Sequence, residues 1–134
     1  MNRMFLTKEC DYAIRIVRSL ADMEMKPVKT ICVEEHMPLP FAYKILKKLE
    51  NARFVKSYRG STGGYQLVRN PDTITLLSIV ASIDDHLFLN ECILDDYICD
   101  NNRSGKPCAV HEELNRMQAL LFDALSEKKL SELV

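Results

Sequence analysis

Three cysteines, Cys92, Cys99 and Cys108, are separated by six and eight residues in a stretch without helical or strand periodicity, and His111 follows the last as Cys-Ala-Val-His. Thiolates carried on an irregular loop can wrap a soft metal centre, and they suit iron–sulfur clusters and zinc. Such ligands bind only after losing their protons, so the site would respond to pH and redox state. The paired Cys-x-x-Cys spacing of structural zinc is absent, which weighs against zinc. His86, just after Asp84 and Asp85, is a reserve ligand. The alternative reading of the loop is three unliganded cysteines, one of them open to oxidation. No Cys/His pairing lies in a nucleophile motif, so the chain does not read as an enzyme.

A second set of residues points to polyanions. Between residues 40 and 70, seven cations (Lys44, Lys47, Lys48, Arg53, Lys56, Arg59 and Arg69) face Glu50 alone, whereas residues 84–113 carry eight acids against Arg103 and Lys106. A basic block beside an acidic one suggests a polyanion-binding face and a separate regulatory or metal-binding segment. The net charge of −1 conceals this split.

These residues need elements to position them. Thr7 can cap a first helix, with Tyr12, Ala13, Ile16, Val17, Leu20 and Ala21 at helical spacing, running to about Met23 and ended by Lys26-Pro27. Thr30 can cap a short second helix over 31–36, with His36 at its end. A third helix is expected over 40–51, opened by Pro40. Its buried face would be Phe41, Ile45, Leu46 and Leu49, and its exposed face Tyr43, Lys44, Lys47 and Lys48. Two β-type runs, 54–58 and 65–68, flank the loop Arg59-Gly60-Ser61-Thr62-Gly63-Gly64 and predict a hairpin. Asn70-Pro71-Asp72 reads as a turn, and Thr75 caps a fourth helix through Ile83. A long last helix spans about 109–125; Leu114, Met117, Leu121 and Ala124 form a coiled-coil-like seam, with Leu120 and Leu125 free to pack on the domain. A short turn over 130–134 ends the chain. Cys10 and Cys32 read as small buried hydrophobes.

A helix, a tight turn, a helix with an apolar back and basic front, then a basic-tipped hairpin is the plan of a winged helix-turn-helix. The helix over 40–51 would enter the major groove, with Pro40, Phe41, Tyr43 and Lys44 near bases and Lys47 and Lys48 at phosphates. Arg59, with Ser61 and Thr62 on the wing, would fit a narrow minor groove. At 134 residues and 47% hydrophobic content the chain is one domain with a helical extension. It has no apolar run of membrane-spanning length and no apolar stretch of leader length at its start, and it is read as cytoplasmic, with reduced cysteines.

The stretch Met37-Pro38-Leu39-Pro40-Phe41-Ala42-Tyr43-Lys44-Ile45-Leu46-Lys47-Lys48-Leu49, followed by Arg59-Gly60-Ser61-Thr62-Gly63-Gly64-Tyr65-Gln66-Leu67, resembles the IscR/NsrR (Rrf-two type) family of bacterial winged-helix regulators. The opening 6–15 is similar to that family's first helix, and the similarity covers essentially the whole chain. The resemblance implies a homodimer on a palindromic operator in double-stranded DNA, with the long last helix crossing its partner. It also implies an iron–sulfur cluster (2Fe-2S or 4Fe-4S) held by Cys92, Cys99 and Cys108. The fourth ligand is His111 in the IscR type, or Asp11 of the partner subunit in the NsrR type.

The fold expected is mainly α with a small β-hairpin: a winged helix-turn-helix domain over 1–83, a cysteine-bearing sensor loop over 84–108, and a dimerisation helix and tail over 109–134. The function expected is a DNA-binding regulator, a repressor by family habit, whose operator affinity is set by a cluster sensing redox, nitric oxide or iron–sulfur status. The alternative is a cluster-free regulator controlled by a protein partner or by cysteine oxidation.

Overall fold

Thr7 starts the first helix, α1 (Lys8–Ser19), by accepting a hydrogen bond from the Cys10 amide at 3.2 Å, which satisfies one donor that the first helical turn leaves open. The structure, a computed structural model, describes residues 4–85, 87–102 and 105–134. His86, considered above as a reserve ligand, lies outside the described residues. α1 stops at Ser19, short of the expected end near Met23. Met23 instead takes a left-handed φ of 66° and turns the chain toward the hairpin. Lys26 then pairs with Tyr65 as an isolated bridge, a long-range pairing that helical periodicity does not encode.

The second helix, α2 (Val28–Glu35), begins earlier than expected because Pro27 takes the N-cap position with extended φ and ψ. Thr30 therefore lies inside the helix and caps nothing. His36 ends it with a left-handed φ of 55°. α3 (Leu39–Asn51) follows after Pro38, with Pro40 in its first turn, where no amide hydrogen is required. The hairpin strands β1 (Val55–Tyr58) and β2 (Gly64–Leu67) run antiparallel, pairing Val55 with Leu67 and Tyr58 with Gly64. Asn70 caps a short 3₁₀ turn, Pro71–Thr73. α4 (Leu76–Ile83) opens on a reciprocal cap: the Ser78 amide donates to the Thr75 hydroxyl, and the Thr75 amide donates to the Ser78 hydroxyl. α5 (Ala109–Glu127) is the longest helix described.

The main core fills the junction of α1, α2, α3 and the hairpin. Ile16, Leu20, Ile31, Ile45, Leu46 and Leu49 are fully buried there, each contributing roughly 1.5–3 kcal/mol of burial free energy. Phe54, Val55 and Leu67 seat the hairpin on this core. Leu130 at the end of the chain is also fully buried in it, and its amide donates to the Ile74 carbonyl at 2.8 Å. A second, smaller cluster joins Cys10 of α1, Val80 of α4, Leu87 and Leu125 of α5. Cys10 is thus a core residue, as expected, and Cys32 is half-buried against the main core.

Candidate nucleic-acid interface and cysteine cavity

The left-handed turn at His36 and the buried Met37 set α3 across the front of the domain. Ala42, Ile45, Leu46 and Leu49 face inward. Pro40, Tyr43, Lys44 and Lys47 are exposed, Tyr43 by 51%. Phe41 is half-buried and packs edge-on against Tyr12, with ring centroids 5.3 Å apart. Its ring therefore serves to seat α3 on α1.

Two of the lysines are engaged. Glu9, in the first turn of α1, receives Lys44 on one carboxylate oxygen at 2.7 Å and Lys48 on the other at 2.6 Å. These two ammonium groups hold the Glu9 carboxyl below the usual carboxylate range. Lys47, between them on the helix, points to solvent. Arg69, counted above in the basic block, has a different task. Its guanidinium lies 3.8 Å from the centre of the Phe54 ring and donates to the Ala52 and Arg53 carbonyls at 2.8 and 3.1 Å. It closes the C-terminal end of α3, where carbonyls lack helical partners.

The wing is held from both sides. The Lys26 and Tyr65 backbones exchange hydrogen bonds at 2.8 and 2.9 Å. The Tyr58 hydroxyl donates to the Gln66 side chain at 3.0 Å, and the Gln66 amide donates to the Met23 carbonyl at 2.6 Å. Gly63 and Gly64 are needed for close approach: a Cβ at Gly64 would overlap the Lys26 carbonyl, and one at Gly63 the Tyr58 carbonyl. The loop tip of Arg59, Gly60, Ser61 and Thr62 is exposed, with Gly60 at a φ of 106°. A cleft of about 410 Å³ between wing and helices is lined by Tyr43, Arg59 and Lys29 among others. Lys29 lies outside the basic block of residues 40–70, so the charge count did not single it out.

The cysteine-bearing candidates lie further along the chain, between α4 and the start of α5. Cys92, Cys99 and His111 line one cavity of about 430 Å³, together with Tyr97, Asn102 and Asn115. Cys108 takes the N-cap position of α5, and its amide donates to the Asn102 side chain at 2.8 Å. All three thiols are half-buried. The His111 Nε2 meets the Asn115 side chain at 2.8 Å, while its buried Nδ1 has no hydrogen-bond partner among the described residues. The imidazole and the Cys92 and Cys99 thiols thus line one cavity, and imidazole and thiolate are donor types that suit a soft metal centre. Among the described residues, no three His, Cys, Asp or Glu side chains converge to metal-binding distance. Asp11 pairs with Arg15 on its own helix at 3.0 Å.

Gln118 of α5 ties the loop to the helix. Its buried side chain donates to the Leu87 carbonyl at 3.0 Å and accepts from the Leu89 amide at 2.8 Å. A glutamine among helical apolar residues gave no signal of this role. The face of α5 that packs on the domain carries Gln118, Leu121, Phe122 and Leu125. Leu120, expected on that face, is 54% exposed, and Met117 is 44% exposed. Val110 and Ala124 are exposed beside them and Leu114 is half-buried. The expected seam is therefore divided: Leu121 turns inward and Met117 and Ala124 turn outward.

The family profile described as Rrf2, iron-dependent transcriptional regulator, matches residues 6–134. A protein of Synechocystis named as an HTH-type transcriptional regulator is 37% identical over 90 residues, which are 63% of this chain and 59% of the relative's length. One of Haemophilus influenzae, named likewise, is 29% identical over 98% of this chain and 87% of its own. Among solved structures, CymR, titled the global cysteine regulator of B. subtilis, superposes with a TM-score of 0.75 at 23% identity, over 99% of this chain and 96% of that one. T. potens IscR superposes with a TM-score of 0.70 at 19% identity, over 95% of this chain and 83% of that one. The winged-helix architecture and the regulator role expected from the residues agree with these relatives, none of which is named as an enzyme. This chain belongs to the Rrf2 family of DNA-binding transcriptional regulators.

Proposed function

We propose that the chain works in the cytoplasm as a homodimeric repressor on a palindromic operator, and that an iron–sulfur cluster sets its affinity for DNA. The reading rests on one observation above the others: Cys92, Cys99 and the unpartnered His111 nitrogen line a single cavity on the segment that leads into α5. Cys92, Cys99 and Cys108 would hold the cluster as thiolates, with His111 as fourth ligand. Asp11 of the partner subunit is the other candidate. When bound, the cluster supplies a centre whose charge and ligation answer to oxidants or nitric oxide.

On the DNA side, Pro40 and Tyr43 meet base edges in the major groove, with Phe41 bracing the helix that carries them. Lys47 and Lys48 meet phosphates, and Lys44, expected near bases, joins them because Glu9 gathers it beside Lys48; Arg59, Ser61 and Thr62 follow the wing into the adjacent minor groove. In the partner arrangement Met117, Leu120, Ala124 and the edge of Leu114 cover the matching stripe of a second α5, while Leu121 braces the helix on its own domain. Residues 84–108 then act as the sensor between an operator-reading unit and a dimer helix. A rearrangement there changes the spacing of two reading heads only if the cluster prefers one dimer arrangement.

The test is the visible absorption, iron and sulfide content of protein purified without oxygen. A brown protein whose colour is lost in Cys92→Ala, Cys99→Ala or Cys108→Ala variants supports the cluster. His111→Ala against Asp11→Ala separates the fourth ligands. A colourless, iron-free protein that still binds operator DNA would remove the cluster from the reading.

A further inference from the structure

We infer that Glu9 is an internal competitor of DNA phosphate, lowering the affinity of the reading helix for any duplex. The inference rests on the proposal that Lys44 and Lys48 meet phosphates. Both lysines already hold an anion: one carboxylate bridges them, with one oxygen at 2.7 Å from Lys44 and the other at 2.6 Å from Lys48. A carboxylate spanning two ammonium groups four residues apart on one helix face occupies the position a bridging phosphate would take. The Glu9 backbone belongs to the first turn of α1, next to the Thr7 cap, so the anion also lies at the positive end of a helix dipole. It is fixed by an element of the core and does not leave with solvent. Lys8, Asp84 and Asp85 share the cleft around Glu9 and Lys48, so this corner of the basic face also carries further acid.

The two lysine side chains remain 59% and 38% exposed. Exposed ion pairs are weak, so a phosphate can take the lysines from Glu9. The carboxylate then stays beside the phosphate as a like charge. Non-specific binding is almost wholly electrostatic and feels this penalty most directly. Contacts from Tyr43 and the wing to bases or to the minor groove do not pass through Glu9.

The experiment measures binding of the full-length protein to a random-sequence duplex by fluorescence anisotropy across a salt series. Glu9→Gln is expected to bind about three- to tenfold more tightly near 100 mM salt, with a plot of log affinity against log salt steeper by about one. Adding Lys44→Ala and Lys48→Ala to that variant should abolish both gains. Glu9→Ala, checked for its fold by circular dichroism, serves as the second variant. A folded Glu9→Gln protein with unchanged affinity and slope, while Lys44→Ala/Lys48→Ala weakens binding, would sink the inference and leave the DNA-reading helix standing. If Lys44→Ala/Lys48→Ala in the wild-type background leaves binding unchanged, the lysines do not meet phosphates, and both readings fall together.

Discussion

Lys26 and Tyr65, distant in sequence, exchange both of their backbone hydrogen bonds, at 2.8 and 2.9 Å. This is the closely spaced pair of an antiparallel ladder, and it adds a third backbone segment to the two-stranded wing. An isolated two-stranded hairpin is marginal in water. Here Lys26 ties the hairpin to the segment leading into α2, joining the wing to the helix-turn-helix. Arg59 at the wing tip and Tyr43 on α3 line one cleft.

Gly64→Ala should break this relation. The added Cβ would overlap the Lys26 carbonyl, and relief requires the two backbones to part. Overpacking of this kind costs about 1–3 kcal/mol. Urea denaturation should show a lower midpoint, and the Lys26 and Tyr65 amides should lose hydrogen-exchange protection before the core of α1 does.

Arg59→Ala and Lys47→Ala should separate two kinds of DNA contact. Both side chains are exposed on the candidate interface. Loss of Arg59 should weaken operator binding by about 1–3 kcal/mol, whereas loss of Lys47 should weaken all duplexes alike and flatten the salt slope by about one. Anisotropy titrations with operator and scrambled duplexes read both outcomes. Unchanged operator binding by folded Arg59→Ala would remove the wing from the interface.

Gln118→Ala should loosen the segment that carries the cysteines. The substitution strands the Leu87 carbonyl and the Leu89 amide, both now bonded to the Gln118 side chain. Leaving the buried Leu87 carbonyl unpaired costs about 1–3 kcal/mol, and the half-buried Leu89 amide less. The melting temperature should fall, and the Leu89 amide should exchange faster. Protection of that amide at the wild-type level would show that Gln118 is not what anchors the loop.

Acid should destabilise the fold through Glu9 and Glu34. Lys44 and Lys48 hold the Glu9 carboxyl low; the Ser19 hydroxyl and then Lys26 do the same for Glu34. A carboxyl whose folded value lies below its unfolded value adds stability above the unfolded value, and loses it as pH falls through the folded one. Stability should therefore be level near neutrality and decline once pH drops below the ordinary value of 4.5. Glu34→Gln should lower stability at pH 7 and flatten the acid limb, as followed by thermal melts across pH.

Much of the fold was legible because it is encoded locally. The Thr7 and Thr75 caps, the apolar spacing of Ile45, Leu46 and Leu49, and the paired runs on either side of Gly60 each lie within a few residues of what they shape. The same holds for the wing motif that carried the family resemblance. α1 ends short of Met23 where the chain turns to bring Lys26 to Tyr65, a partner far along the sequence, whereas α2 starts early because Pro27 and not Thr30 takes its N-cap.

By itself the sequence determined the elements, the basic character of α3 and the wing, and the residue types available to a metal. Those follow from composition and short-range periodicity. Only the tertiary structure decided which charges are engaged: Lys48 meets Glu9 across 39 residues of sequence, and Arg69 spends its charge on Phe54 and the end of α3. It likewise decided that Leu121 faces the domain while Leu120 faces out, since both satisfy the same helical spacing and only the docking of α5 on Val80 and Leu87 distinguishes them. Ion pairs and helix docking depend on the relative placement of whole elements, and that placement is set by the packed core, not by any one segment.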